Sequence, residues 1–149
     1  MGFGDKAIEL LKMISPIEHS NNQEAVKRYR VEPYVITADI YDIEGGRGTG
    51  GWSWYTGSSS WYYKAIVEYI IGFRIENNYL VFNPCIAKNW KNIDIHYKYK
   101  TSMYNIKIKN FNESNQGVEK VIVNGEIIEE KKVLLKDEGR IYNIEVIMN

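Results

Sequence analysis

Cysteine is all but missing from this chain of 149 residues: the one thiol, Cys85, cannot close an internal disulfide. The fold therefore rests on its core, a reducing compartment suits it, and Cys85 reads most simply as a small buried hydrophobe. Net charge is missing too. Nineteen basic residues balance nineteen acidic ones, so no whole-molecule field gathers a polyanion, and nucleic acid is not an expected partner. Long apolar runs are absent. The best, 65–73, is interrupted by Glu68 and falls far short of the roughly 20 residues a membrane helix needs. The opening residues carry no basic region followed by an apolar stretch, as a secretory signal would. A cytoplasmic protein without membrane contact is expected.

Chemistry is sparse as well. The two histidines, His19 and His96, have no second histidine and no cysteine at metal-ligand spacing, so no metal is expected. The sequence contains no Gly-x-Ser-x-Gly elbow, no Walker loop and no dinucleotide fingerprint. Serine hydrolase, nucleoside triphosphatase and nicotinamide chemistry drop out.

What is present divides by period. Residues 5–14 place Ile8, Leu11 and Ile14 on one side and Lys6, Glu9 and Lys12 largely opposite, which predicts a helix that Ser15-Pro16 ends. A second short helix is predicted from Asn21 or Asn22 to Arg28, with an asparagine as N-cap. Residues 31–41 suit a strand or a buried helix, because Pro33 bars a helix interior while Val35, Ile36 and Ile40 fit either. Residues 58–73 read as a helix apolar nearly all round, with Lys64 and Glu68 as its solvated stripe and Gly72 as its stop. Such a helix needs cover on most sides, and so few neighbours cannot give it. Either another copy or the rest of a longer protein is implied.

From Arg74 onward the period becomes two, at 80–82, 93–99, 104–108, 118–123, 126–128, 133–135 and 141–147, with Asn124-Gly125 as a two-residue hairpin turn. Helices followed by strands make an α+β protein, and the division is placed at residues 1–74 and 75–149.

The densest local feature lies inside the first half. Residues 45–57 hold six glycines, two tryptophans and one arginine. A flexible linker does not carry large aromatics. The stretch ends in Thr56-Gly57-Ser58 at the predicted start of the 58–73 helix, where unpaired N–H groups and the dipole favour an anion. Thr56 adds a hydroxyl, Gly57 lets the anion approach, and Arg47 offers a bidentate clamp. On spacing alone an ordinary capped helix explains the same residues better. Trp52 and Trp54 suit stacking on a sugar ring and suit a core equally well. Glu32, Asp39, Asp42 and Glu44 are candidates for hydroxyl recognition or acid chemistry, though any one of them more often is a solvated side chain or a cap.

Five motifs occur in order: Ser-Pro-Ile-Glu-His-Ser at 15–20, Arg-Tyr-Arg-Val-Glu-Pro-Tyr-Val at 28–35, Ala-Asp-Ile-Tyr at 38–41, Gly-Arg-Gly-Thr-Gly-Gly-Trp-Ser-Trp-Tyr-Thr-Gly-Ser at 46–58, and Asn-Pro-Cys-Ile at 83–86. Their succession resembles the C-terminal end of the glycoside hydrolase family 94 phosphorylases, over nearly the whole chain. The resemblance implies the last helices of an incomplete (α/α)6 barrel, up to about residue 74, followed by an antiparallel β-sheet or sandwich tail. It implies inverting phosphorolysis of β-linked oligosaccharides with inorganic phosphate as co-substrate and no other cofactor. Thr56 and Gly57 match the family's phosphate-holding pair, while Arg47, Trp52, Trp54 and Glu32 are the candidate sugar contacts. No catalytic residue is expected in this chain, because the family's general-acid aspartate lies upstream of the matched segment. The chain is therefore expected to need the rest of the barrel, or self-association, and to be inactive alone. Thr37 or Ala38 stands where the cellobiose enzymes carry a sugar-binding glutamine, which is closer to the β-1,2-glucan branch. A stand-alone carbohydrate-binding module and a structural assembly domain are the other readings.

Overall fold

A computed structural model describes residues 2–42, 44, 45, 47–54 and 57–149. The helices lie in the first half and nearly all the strands in the second, an α+β fold. The chain divides into two units, one of residues 8–65 and the other of residues 1–7 with 66–149.

The helical unit begins inside α1 (Gly4–Ile14), whose Ile8 is buried while Leu10, Met13 and Ile14 remain exposed. After a single 3-10 turn at Glu18–Ser20, α2 (Gln23–Tyr29) starts on Asn22. The Asn22 side chain accepts the Ala25 backbone N–H at 2.8 Å, which satisfies one of the orphan donors of a first turn. Arg30 closes the helix in the left-handed conformation. The motif at 15–20 is structural here. His19 Nε2 donates to the Met13 carbonyl at 2.7 Å, its ring stacks on Tyr29 at 5.0 Å, and Ser20 Oγ donates to the Pro16 carbonyl at 2.6 Å. Tyr29, 1% exposed, donates its hydroxyl to the Val35 carbonyl.

The stretch at 31–41 is irregular until β1 (Ile40–Tyr41), which pairs antiparallel with β2 (Thr49–Gly50). Two further bonds, Ala38 N–H to the Trp52 carbonyl and Gly51 N–H to the Asp39 carbonyl, lengthen this ribbon. Next comes α3 (Gly57–Lys64), which continues as a π-helical segment at Ala65–Ile70, with Ile71 N–H on the Ile66 carbonyl. The helix predicted through residue 73 thus ends earlier. Gly72 turns the chain at φ 72°, and a Cβ there would stand 2.1 Å from the Asn83 carbonyl, so the glycine is required both by its dihedral and by the close approach.

The β unit holds eight strands: β3 (Phe73–Glu76), β4 (Tyr79–Phe82), β5 (Asn92–Tyr99), β6 (Ser102–Lys109), β7 (Val118–Val123), β8 (Glu126–Ile128), β9 (Lys132–Leu134) and β10 (Ile141–Met148). They form a five-stranded sheet of order β5-β6-β10-β7-β8 and a three-stranded sheet of order β3-β4-β9. The expected antiparallel tail is corrected in one respect: β10 runs parallel to β6 and antiparallel to β7. The chain leaves β6 through β7, β8 and β9 before it returns, and β10 enters between β6 and β7 in the direction of β6. Alternation then sorts the side chains. Ile106, Ile108, Val121, Ile144 and Val146 are almost fully buried, each contributing about 1.5–3 kcal/mol. Tyr97, Tyr104 and Tyr142 stand side by side on three strands, and Phe73 meets Tyr97 and Phe82. The start of α1 is tied to this unit by Asp5, whose carboxylate accepts the Lys88 backbone N–H and the Asn115 amide, both at 3.0 Å.

Among the described residues no helix is long and apolar enough to cross a membrane.

Candidate functional site

The ribbon of β1 and β2 carries most of the residues singled out in the sequence. Its strands converge at Gly51, where an added Cβ would fall 1.6 Å from Asp39 Oδ1, so glycine alone lets the two backbones and this carboxylate meet. At the ribbon's tip Arg47 Nε donates to Asp42 Oδ1 at 2.7 Å, both side chains being largely exposed. That pair is screened by water and adds little stability, and it partly neutralises the arginine expected to clamp an anion. Thr37 donates its hydroxyl to the Asp39 carbonyl at 2.8 Å.

Past the ribbon the chain presents its two tryptophans, Trp52 at 70% and Trp54 at 66% exposure. Neither is a core residue. Trp54 adopts φ 61°, a left-handed conformation that bulky side chains rarely take. Its indole N–H donates to Glu32 Oε1 at 2.9 Å, and its ring meets Tyr34 edge-on at 6.4 Å. Glu32 Oε2 is shielded from solvent and has no hydrogen-bond partner. The Glu32 carboxyl is held below the usual glutamate range, first by its own backbone N–H and then by the Trp54 indole.

Three residues after Trp54, Gly57 opens α3. Thr56, its partner in the expected phosphate pair, lies outside the described residues. Among the described residues, its chain neighbours and the helix's own backbone aside, no atom stands within 4 Å of where a Gly57 Cβ would be. Packing by the described residues therefore does not demand glycine here.

Sequence reasoning did not find the apolar cleft of about 550 Å³ in the same unit, lined by Leu11, Ile14, Ile36, Ile40, Trp61 and Tyr62. Thr37, Asp39 and Ser58 also line it. Trp61 is 69% exposed, and α3 has no fully buried residue. Nor was Tyr34 anticipated as a support of Trp54. Its signal was Pro33, which sets a turn closed by Val35 N–H on the Glu32 carbonyl at 3.1 Å. Among the described residues no group of three histidine, cysteine or carboxylate side chains is placed to hold a metal ion.

Comparison with known proteins bears on this geometry. Residues 1–72 match the family model described as Glycosyl hydrolase 94 superfamily, catalytic domain. The chain is 34% identical over 114 residues to the cyclic beta-(1,2)-glucan synthase NdvB of Rhizobium meliloti, covering 76% of this chain and 4% of that protein. It is 28% identical over 130 residues to the N,N'-diacetylchitobiose phosphorylase of Vibrio furnissii, covering 87% of this chain and 16% of that one. With the solabiose phosphorylase of Paenibacillus borealis it shares 24% over 148 residues, 99% of this chain and 19% of the relative. The chain thus spans less than a fifth of the length of each of these relatives. The glycine-rich ribbon, the exposed tryptophans and the first turn of α3 all fall inside the segment that matches the catalytic domain. On this evidence the chain belongs to the glycosyl hydrolase 94 superfamily.

Proposed function

We propose that this chain is the C-terminal part of an inverting glycoside phosphorylase that acts on β-linked gluco-oligosaccharides with inorganic phosphate. It supplies phosphate and sugar contacts and is inactive alone. Residues 1–74 are the closing helices of an incomplete (α/α)6 barrel, and residues 75–149 are the β domain that follows it. Phosphate sits over the first turn of α3 at Thr56 and Gly57, where backbone N–H groups and the helix dipole meet its charge. A phosphate oxygen bonds to the anomeric carbon as the glycosidic C–O bond breaks. The leaving oxygen takes its proton from an acid supplied by the rest of the barrel. Holding the nucleophile in line accounts for much of such a rate. Arg47, Trp52 and Trp54 form the sugar-facing patch beside it, with Glu32 bonded to the Trp54 indole at its margin.

The observation that carries this reading is Gly57: it opens α3 where packing by the described residues does not demand glycine, next to two exposed tryptophans. The apolar cleft and the exposed residues of α1 and α3 support the incomplete barrel, since contiguous apolar surface of this kind marks an interface. The carbohydrate-module reading is less favoured, because the tryptophans it relies on lie in the helical unit and not in the β unit.

Two measurements test the proposal. Incubated with phosphate and β-linked glucose oligosaccharides, the purified chain is expected to release no sugar phosphate, and turnover would overturn its inactivity alone. In amide-resolved NMR, inorganic phosphate is expected to shift Gly57 and Ser58, with Thr56→Ala weakening the effect several-fold. Unmoved amides would sink the phosphate site.

A further inference from the structure

Trp54 combines features that an incidental surface residue does not need together. Its backbone is in the left-handed region, where the side chain crowds its own carbonyl. Its indole leaves most of its surface in water, at 66% exposure, although burial is the favoured state for so large an apolar group. Yet it is fastened: its indole N–H donates to Glu32 Oε1 and its ring makes a T-shaped contact with Tyr34. Both supports come from one turn, 32–35, which Pro33 presets and the Val35 N–H bond closes. An aromatic ring fixed by a hydrogen bond and a ring contact, and still 66% exposed, is preorganised for a flat apolar partner. It stands two residues before Thr56 in a chain whose relatives include oligosaccharide phosphorylases.

Glu32 lies next to this plane in a way that argues against sugar contact. Oε1 is occupied by the indole N–H, and Oε2 is closed off from solvent. A hydroxyl cannot reach an atom that water cannot reach. The carboxylate's task is to fix the indole.

We propose that Trp54 is a preset stacking platform for a pyranose ring and that Glu32 is its positioning residue, not a sugar ligand. This deepens the phosphorylase reading and rests on it for the class of ligand.

The full chain, labelled with ¹⁵N, tests it. Four tryptophans give four indole resonances, and Trp54→Phe assigns the one at issue. On titration with a β-1,2-linked glucose disaccharide the Trp54 indole is expected to move. Glu32→Ala should weaken that binding about tenfold, the scale of a lost hydrogen bond to a charged group. Glu32→Gln, whose amide oxygen still accepts the indole N–H, should stay within about threefold of the native chain. Equal losses in Glu32→Ala and Glu32→Gln would make Glu32 a direct ligand and overturn its positioning role. A still Trp54 resonance, or an equal response to adenosine monophosphate, would overturn the sugar platform. Unchanged amide shifts in the β unit confirm that each variant is folded, and Trp54→Phe keeps a smaller ring that should still bind within tenfold. Phosphate shifts at Gly57 are read in the same spectra. Their loss with Trp54 still responding fails the phosphate site alone, and the converse fails the platform alone.

Discussion

At the scale of single residues, hydrogen bonds between ionisable groups set a pH window. Tyr142 donates its hydroxyl to Glu138 Oε2 at 2.7 Å. That bond, the largest cause, pushes the phenol up to about 12, since ionising it would remove the donor and set two negative charges side by side. The same bond holds Glu138 below the usual glutamate range. The signs follow from linkage. A raised phenol stabilises the fold fully below its ordinary value of 10.0 and loses that contribution as pH climbs through about 12. A depressed carboxyl stabilises it above its ordinary value of 4.5 and loses that contribution as pH falls through its lowered value. Asp5, held down first by the Lys88 N–H and then by Asn115, and Asp137, held down first by the Thr101 hydroxyl, act in the same acid limb. Ultraviolet titration of the tyrosines should therefore show a late alkaline step that Tyr142→Phe deletes and Glu138→Gln moves back toward 10.0. Persistence of the step in Tyr142→Phe would assign it to another tyrosine.

At the scale of elements, the hairpin of β7 and β8 was legible because its two turn positions both need positive φ, and Asn124-Gly125 supplies them at 51° and 92°. The turn is anchored as well: Asn124 exchanges bonds with the Asn143 backbone through its N–H and its side-chain oxygen. Gly125→Ala should cost about 1–2 kcal/mol in urea denaturation, because an L side chain resists that dihedral. A loss below measurement would mean that the turn rearranges freely. An asparagine cap at 21 or 22 was legible too, and the bond to the Ala25 N–H selects Asn22. The π-helical segment after Lys64 was not. Its residues Ala65–Ile70 are as apolar as those of an α-helix, and periodicity does not record which carbonyl each N–H meets.

At the scale of the whole molecule, the two units differ in how they are stabilised. In the β unit Ile144 lies on β10, opposite Ile106 of β6 and Val123 of β7, and is 1% exposed. Ile144→Ala should cost about 2–5 kcal/mol, the transfer loss plus a cavity. Ile127→Ala on exposed β8 should stay within about 0.5 kcal/mol. Denaturation midpoints compare the two, and equal losses would deny β10 its central place. The helical unit instead leaves Trp52, Trp54, Trp61 and Tyr63 exposed. The sequence had pointed to the 58–73 stretch as an apolar helix with few neighbours, and its Trp61, Tyr63 and Tyr69 are exposed.

The sequence alone determined whatever a few neighbouring residues decide: the helical and alternating periods, an asparagine cap at 21 or 22, the Asn124-Gly125 turn, the stop at Gly72 and the order of family motifs. It also marked Thr56-Gly57 and the tryptophans as the place to look, because glycine and large aromatics seldom mix without reason. Tertiary structure decided what depends on residues far apart. It inserted β10 between β6 and β7, a choice open to any strand of that pattern until the whole sheet is assembled. It also joined Glu32 to Trp54 across twenty-two residues, a bond of direction and distance that no local period records.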